Sequence, residues 1–402
     1  MSVSPYPQLE LRRNSEQLLL KGHPWVYSGA VAGCDPAAEP GDIVDVVNGK
    51  GRFIGRGYYN PRSTIVVRLL TRRKDAAIDR VFLQRQISRA VAFRRSNPLL
   101  TNTNACRLVH GESDGLPGLI VDEYAGFLVV QLHTMGMDRM RQDLVEALDE
   151  VVKPKGIYER SDVGTRRADG IKDRPCGLLM GSEPPDLIEI NENAVRLHID
   201  VRRGQKTGLF LDQRPNRTLL QQLSAGKSVL DCFSYTGGFA AHALKGGARR
   251  VVCVDIARAA LLDGRRNLES NCQPGSVYHG VTADMFSFLD NLANRGPKFD
   301  IVVIDPPSLL RKQKDLNHAM GVYTKLNRNA LKLVREGGLL VTASCSTRIS
   351  NEDFFQILRR AASGARVNAR MIAFNQHAPD HPVDPAFPEG RYLKCIFATV
   401  DR

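Results

Sequence analysis

The sequence predicts an α/β protein whose C-terminal half is a doubly wound, mostly parallel sheet, preceded by a β-rich module and a small α+β middle domain. From Ser228 onward short apolar runs alternate with segments of helical periodicity. Before residue 75 the chain reads instead as short strands divided by Gly, Pro and Asn. At 402 residues it is also too long for one ordinary core, given roughly 100–200 residues per domain. The expected domains are residues 1–74, 75–200 and 201–402.

In the first module strands are expected over residues 17–21, 42–47, 53–59 and 64–70. The charged stretch 71–75 ends that pattern, and residues 80–95 place Val81, Leu83, Ile87 and Val91 at helical spacing. Hairpin strands are expected between 106 and 132 around the turn Asp114-Gly115-Leu116-Pro117-Gly118. A helix over about 137–152 and further strands to 200 follow. Residues 202–215 read as the connection into the last domain. There, strands are expected at 228–233, 250–255, 276–281, 299–304, 338–343 and 394–400.

The net charge of +13 is uneven: +8 over residues 1–100, −7 over 101–200 and +12 over 201–402. Two basic blocks flanking an acidic one favour a polyanionic partner, because each neutralised phosphate releases condensed counterions. No apolar run is long enough for a membrane span and no leader pattern opens the chain, so a cytosolic protein is expected. The eight cysteines include no C-x-x-C pair, which argues against a zinc knuckle or a dithiol redox site, and no metal is expected. Cys232 and Cys253 lie in apolar runs and read as core residues.

In a doubly wound sheet, ligands bind beyond the carboxyl ends of the strands, so the residues closing each strand are the informative ones. The first strand runs into Asp231-Cys232-Phe233-Ser234-Tyr235-Thr236-Gly237-Gly238-Phe239, a glycine-bearing turn before a helix. The second closes on Asp255, 24 positions after Asp231, where a carboxylate is placed to accept both hydroxyls of a ribose. After the third, Asp284 is placed for an adenine amino group and Met285 for its ring face. The turn lacks the G-x-G-x-x-G that admits a pyrophosphate, so the adenosine cofactor that fits is phosphate-free: S-adenosylmethionine. The cofactor-binding set is Asp231, Phe233, Tyr235, Thr236, Gly237, Asp255, Ile256, Asp284, Met285, Asp305 and Pro306. For Asp255 or Asp284 alone, capping of the next helix is an equal explanation.

The fourth strand ends Asp305-Pro306-Pro307-Ser308 and the fifth ends Ser344-Cys345-Ser346, placing a carboxylate and a thiol at one sheet edge. In amine methyltransferases the D/N-P-P turn is usually followed by a base-stacking aromatic residue, and Ser308 is not one. A thiolate that adds to C6 of a pyrimidine makes C5 nucleophilic enough to take a methyl group, which suits Cys345. Asp305 is then the candidate proton-abstracting or base-orienting group.

Together these residues resemble the bacterial 23S ribosomal RNA cytosine-5 methyltransferases with an N-terminal PUA domain, the large-subunit methyltransferase I type. The resemblance extends to residues 21–27 (Lys-Gly-His-Pro-Trp-Val-Tyr), 112–119, 206–214 (Lys-Thr-Gly-Leu-Phe-Leu-Asp-Gln-Arg), 380–382 and 389–394. It implies a PUA module, a class I methyltransferase domain of Rossmann-like fold, 23S rRNA as partner and Cys345 as nucleophile. Many RNA cytosine-5 methylases carry a second cysteine where this chain has Ser308, and the relatives usually have lysine there.

For RNA contact, Arg311, Lys312 and Lys314 follow the catalytic turn, and Trp25 and Tyr27 could stack bases; a solvated loop and a core tryptophan are the plain alternatives. A homodimer is compatible with the sequence and not indicated by it. Rival readings are methylation of uracil C5 or of an exocyclic amine, and a non-catalytic RNA-binding assembly protein.

Overall fold

The computed structural model describes residues 6–172, 174–293, 296–310 and 315–402. The chain divides into two compact units. One holds residues 1–188, 199–209 and 379–390; the other holds 189–198, 210–378 and 391–402.

The first unit contains two sheets. A six-stranded sheet is formed by β1 (Gln8–Leu11), β2 (Trp25–Tyr27), β3 (Val31–Cys34), β4 (Ile43–Val47), β5 (Phe53–Tyr59) and β6 (Ile65–Thr71). Its core gathers Leu9, Leu11, Val26, Val44, Val46 and Val67. Residues 17–21 are not a strand: Gln17–Leu20 is a short helix, α1, because three consecutive leucines form helix readily and only Leu19 has a core to enter. The strands β1, β2 and β3 were not anticipated; each is four residues or fewer, too short to show alternation.

Helix α2 (Arg80–Arg95) spans the predicted residues, with Asp79 capping Phe82 N. The second sheet follows with β7 (Ala105–His110), β8 (Leu119–Tyr124), β9 (Phe127–Leu132), β10 (Gly156–Glu159) and β11 (Gly177–Gly181). The single helix expected over 137–152 is two, α3 (Met135–Arg139) and α4 (Arg141–Val152), with the break at Met140. Helix α5 (Gly164–Ala168) is one turn, and the hairpin β12 (Ile188–Glu192) and β13 (Val195–Ile199) belongs, but for its two end residues, to the second unit.

After that hairpin the second unit continues with α6 (Arg214–Leu223) and then winds β14 (Ser228–Cys232), α7 (Gly238–Lys245), β15 (Arg250–Asp255), α8 (Arg258–Asn271), β16 (Val277–Thr282) and α9 (Met285–Leu292). It continues through β17 (Phe299–Ile304), α10 (Leu316–Leu333), β18 (Val334–Ser344), α11 (Asn351–Ala365), β19 (Asn368–Asn375) and β20 (Lys394–Asp401). The strand order is β16-β15-β14-β17-β18-β20-β19, with β20 antiparallel to both of its neighbours and the other pairs parallel. The chain first winds outward from β14 and then returns to β17 on its other side, so the switch point lies between those two strands. Strand β18 begins four residues before the predicted start, and the half-exposed strand β19 was missed because its alternation breaks at Ile372.

Candidate active site

The strand ends at the switch point carry the predicted groups. Leaving β14, the backbone takes left-handed conformations at Phe233 (φ 61°), Tyr235 (φ 50°) and Gly237 (φ 73°), a turn that delivers the chain into the N-terminus of α7. Such conformations cost non-glycine residues energy and persist where surrounding structure enforces them. Gly264 of α8 passes so close beneath this turn that a Cβ would lie 2.8 Å from the Thr236 carbonyl. Asn267 of the same helix donates to that carbonyl at 3.0 Å.

Asp255, closing β15, braces the turn from the other side. One carboxylate oxygen accepts Tyr235 N at 2.9 Å and the other accepts Ala257 N at 2.8 Å. A carboxylate has about four acceptor positions, so both oxygens keep capacity for a ribose diol. Next to it Ile256 is 71% exposed, an apolar side chain standing free at a strand end. Phe286 packs edge-on to Phe233 with centroids 6.2 Å apart. The chemistry of this set, a carboxylate for hydroxyls and apolar surface for a ring, fits an adenosine without phosphates. Substituting Asp255 by alanine is expected to weaken cofactor binding roughly 10- to 100-fold, the worth of about 1.5–3 kcal/mol for a charged hydrogen bond. Isothermal titration with S-adenosylhomocysteine measures it.

Other members of the predicted set sit differently. Asp231 is buried and accepts Ala240 N at 3.1 Å, holding the first turn of α7. Burial, with the charges of Asp305 and Asp255, raises its carboxyl to about 8 against the opposing Ala240 bond. Thr236 is buried and Gly237 caps α7. Asp284 caps α9 by accepting Ser287 N at 3.0 Å, and Met285 packs into the core of the unit. Pro306 is buried.

Asp305 closes β17, and Cys345 follows the last residue of the neighbouring parallel strand β18, where Ile304 pairs with Thr342. Asp305 accepts the side-chain amide of Gln213 at 3.1 Å, and the Gln213 carbonyl accepts Asn216 Nδ2 at 2.6 Å. Burial and the nearby charge of Asp212 raise the Asp305 carboxyl to about 7, while the Gln213 bond and the Arg217 charge work against that rise. Cys345 is half-buried. Ser344 donates its hydroxyl to the Tyr323 phenol at 3.2 Å, tying β18 to α10 beside the thiol.

Residues 212–217 were not singled out individually by the sequence reading, yet they brace the site. Asp212 is buried and accepts the Tyr392 hydroxyl at 2.7 Å. Arg217 donates to the Phe210 carbonyl at 2.7 Å and to the fully buried Glu192, which also receives Arg214 and His242. The only available signal was that Asp212, Gln213 and Arg214 lie in a stretch carrying the family resemblance.

Arg311, Lys312 and Lys314 lie outside the described residues. Trp25, on β2, is partly buried, donates its indole N–H to Glu112 at 2.9 Å and meets Phe387 edge-on at 4.7 Å. Its neighbour Tyr27 is the more exposed ring, at 38%. Among the described residues no cluster of side chains could hold a metal ion, and no helix is long and apolar enough to cross a membrane.

Residues 106–390 match the family model of S-adenosylmethionine-dependent methyltransferases, and residues 9–72 match the PUA-like domain. A ribosomal RNA large subunit methyltransferase I from Shigella boydii is 40% identical over 387 residues, covering 96% of this chain and 98% of the relative. Those from Erwinia tasmaniensis and Klebsiella pneumoniae are each 38% identical, covering 96% and 98% of this chain and 98% of the relative in both cases. A solved structure from Streptococcus mutans, described as a SAM-dependent methyltransferase, superposes with a TM-score of 0.84 at 23% identity. It covers 98% of this chain and 99% of that one, and shows the same fold. The chain therefore belongs to the S-adenosylmethionine-dependent methyltransferase family whose members include the ribosomal RNA large subunit methyltransferases I, with a class I methyltransferase fold behind an N-terminal PUA-like domain.

Proposed function

We propose that this protein methylates carbon 5 of a cytosine in 23S rRNA through a covalent adduct between Cys345 and carbon 6 of the base. The observation that carries the reading is the placement of Cys345 and Asp305 at the ends of adjacent parallel strands, on the edge that also carries the Asp255 turn. The names of the relatives support rRNA as the substrate class, and the PUA-like domain supports an RNA partner. Such a substrate puts the protein in the bacterial cytoplasm.

When bound, S-adenosylmethionine supplies an electrophilic methyl group. Asp255 orients the cofactor through its ribose. The Cys345 thiolate forms a bond to C6, and the ring electrons this releases make C5 the nucleophile that takes the methyl. A base then removes the C5 proton, the C5–C6 double bond re-forms and the thiolate is expelled. Asp305 is the group assigned to that proton, held in place by Gln213. With Ser308 where many relatives in chemistry carry a second cysteine, product release falls to Asp305 as base.

A carboxylate that accepts a proton works only when ionised, so the rate is expected to rise as pH passes upward through about 7. In Asp305→Asn the part of that limb due to the carboxylate should go, leaving the rise from ionisation of the Cys345 thiol, along with a loss of roughly 10²–10⁴ of the rate. A variant that keeps full turnover and the same profile removes Asp305 from the role. The acceptor itself is tested by incubating the protein with labelled S-adenosylmethionine and unmodified large-subunit RNA, then digesting to nucleosides. Labelled 5-methylcytidine is expected; a methylated amine or 5-methyluridine overturns the assignment.

A further inference from the structure

Lys394 is a lysine with almost no access to water, at 3% exposure, and it lies against the turn that carries the nucleophile. It sits at the start of β20, paired across the sheet with Ser344. From there its ammonium donates to the Ser346 carbonyl at 2.6 Å and to the Ile349 carbonyl at 2.7 Å. These two bonds close the turn just beyond Cys345. An ammonium has three N–H donors, so one remains after both carbonyls are served.

A neutral amide could satisfy two carbonyls without the cost of burying a charge. The location of the charge therefore needs a reason, and the thiol beside it supplies one. We propose that Lys394 is a positioning residue for Cys345, fixing the turn after it and holding the sulfur as thiolate through the buried ammonium. The proposal rests on the reading of Cys345 as nucleophile. It extends that reading by naming the group that answers its chief chemical requirement, since a free thiol titrates near about 8.5 and is mostly protonated at neutral pH.

The acidic groups around the turn do not serve that need. Asp353 of α11 faces Lys394 and, like the thiolate, favours its charged form. Tyr323 of α10 and Asp305 of β17 bring a phenol and a carboxyl, and charge on either opposes a second anion. Arg348, a second cation in the same turn, is exposed to water, which screens its charge. Burial draws Lys394 down to about 8, against the raising effect of Cys345 and then Asp353, which leaves it cationic through neutral pH. Deprotonation of the thiol sends its proton to water and leaves an ion pair.

The test titrates Cys345 in the full-length protein by its rate of alkylation with iodoacetamide across pH. Peptide-resolved mass spectrometry separates it from the other seven cysteines. In the wild type the midpoint should lie below the free-thiol value. In Lys394→Gln, which keeps a donor and removes the charge, it should rise by about one unit, slowing alkylation at pH 7 roughly ten-fold with the high-pH plateau unchanged. A wild-type midpoint at or above about 8.5 overturns the proposal without any variant, as does a Lys394→Gln profile that coincides with wild type. No RNA is needed. Should methyl transfer survive loss of Cys345, the proposed mechanism falls, while this titration still reports whether Lys394 acts on the sulfur.

Discussion

Cys345→Ala is expected to lower methyl transfer by at least about a thousand-fold while changing affinity for S-adenosylhomocysteine by less than about two-fold. The split follows from position. Cys345 lies beyond the end of β18, whereas the Asp255 turn that fits the cofactor lies across the sheet between β14 and β15. Removing a half-buried sulfur from a strand end leaves the core cluster of the unit intact, so the melting temperature should hardly move. Single-turnover methylation and calorimetric titration separate the two effects. Equal loss of both would mean that the residue supports the fold and carries no chemistry of its own.

The second large effect is on stability. Glu192 is fully buried and shared: Arg217 donates to both of its oxygens, at 2.6 and 2.8 Å, Arg214 reaches it at 3.3 Å and His242 at 3.1 Å. Burial alone would raise this carboxyl. The Arg217 charge, the His242 bond and the Arg214 charge reverse that and hold it well below the ordinary carboxylate range. Glu192→Ala takes the shared carboxylate from two buried guanidinium groups and should cost about 3–5 kcal/mol, a large part of the roughly 5–15 kcal/mol that a typical domain has. Urea denaturation measures it, and a loss under about 1 kcal/mol would show that the cluster relaxes into water. Activity should fall as well, because Arg217 also holds the Phe210 carbonyl and α6 carries Asn216, the partner of Gln213.

The strand ends that carry the candidate site were legible in the sequence, since strand ends announce themselves. Residues 250–255 form an apolar run that closes on Asp255 and residues 299–304 one that Asp305 follows, and the structure ends β15 and β17 with those runs. The glycine-bearing turn after β14 was read the same way. What could not be read is the support. Gln213 reaches Asp305 from 92 positions away, and Glu192 collects its arginines and histidine from 22 to 50 positions downstream. No local periodicity encodes such pairings, because they exist only once the sheet has formed. Lys394 was equally hidden: beside Cys395 it looks like the first residue of an apolar strand, and only its pairing with Ser344 brings its ammonium to the turn. The helix at Gln17–Leu20 was misread for the opposite reason, a run of leucines too short for either periodicity to decide.

The covalent bond between Cys345 and a cytosine is tested most directly by offering the protein and S-adenosylmethionine a large-subunit RNA whose cytosines carry fluorine at C5, then digesting the product to peptides and nucleotides. Fluorine cannot leave as a proton, so the adduct should persist after methyl transfer. A stable protein–RNA conjugate is expected, its cross-linked peptide containing Cys345 joined to a methylated fluorocytidine. Methyl transfer to that RNA without any conjugate, or a conjugate through another cysteine, would contradict it.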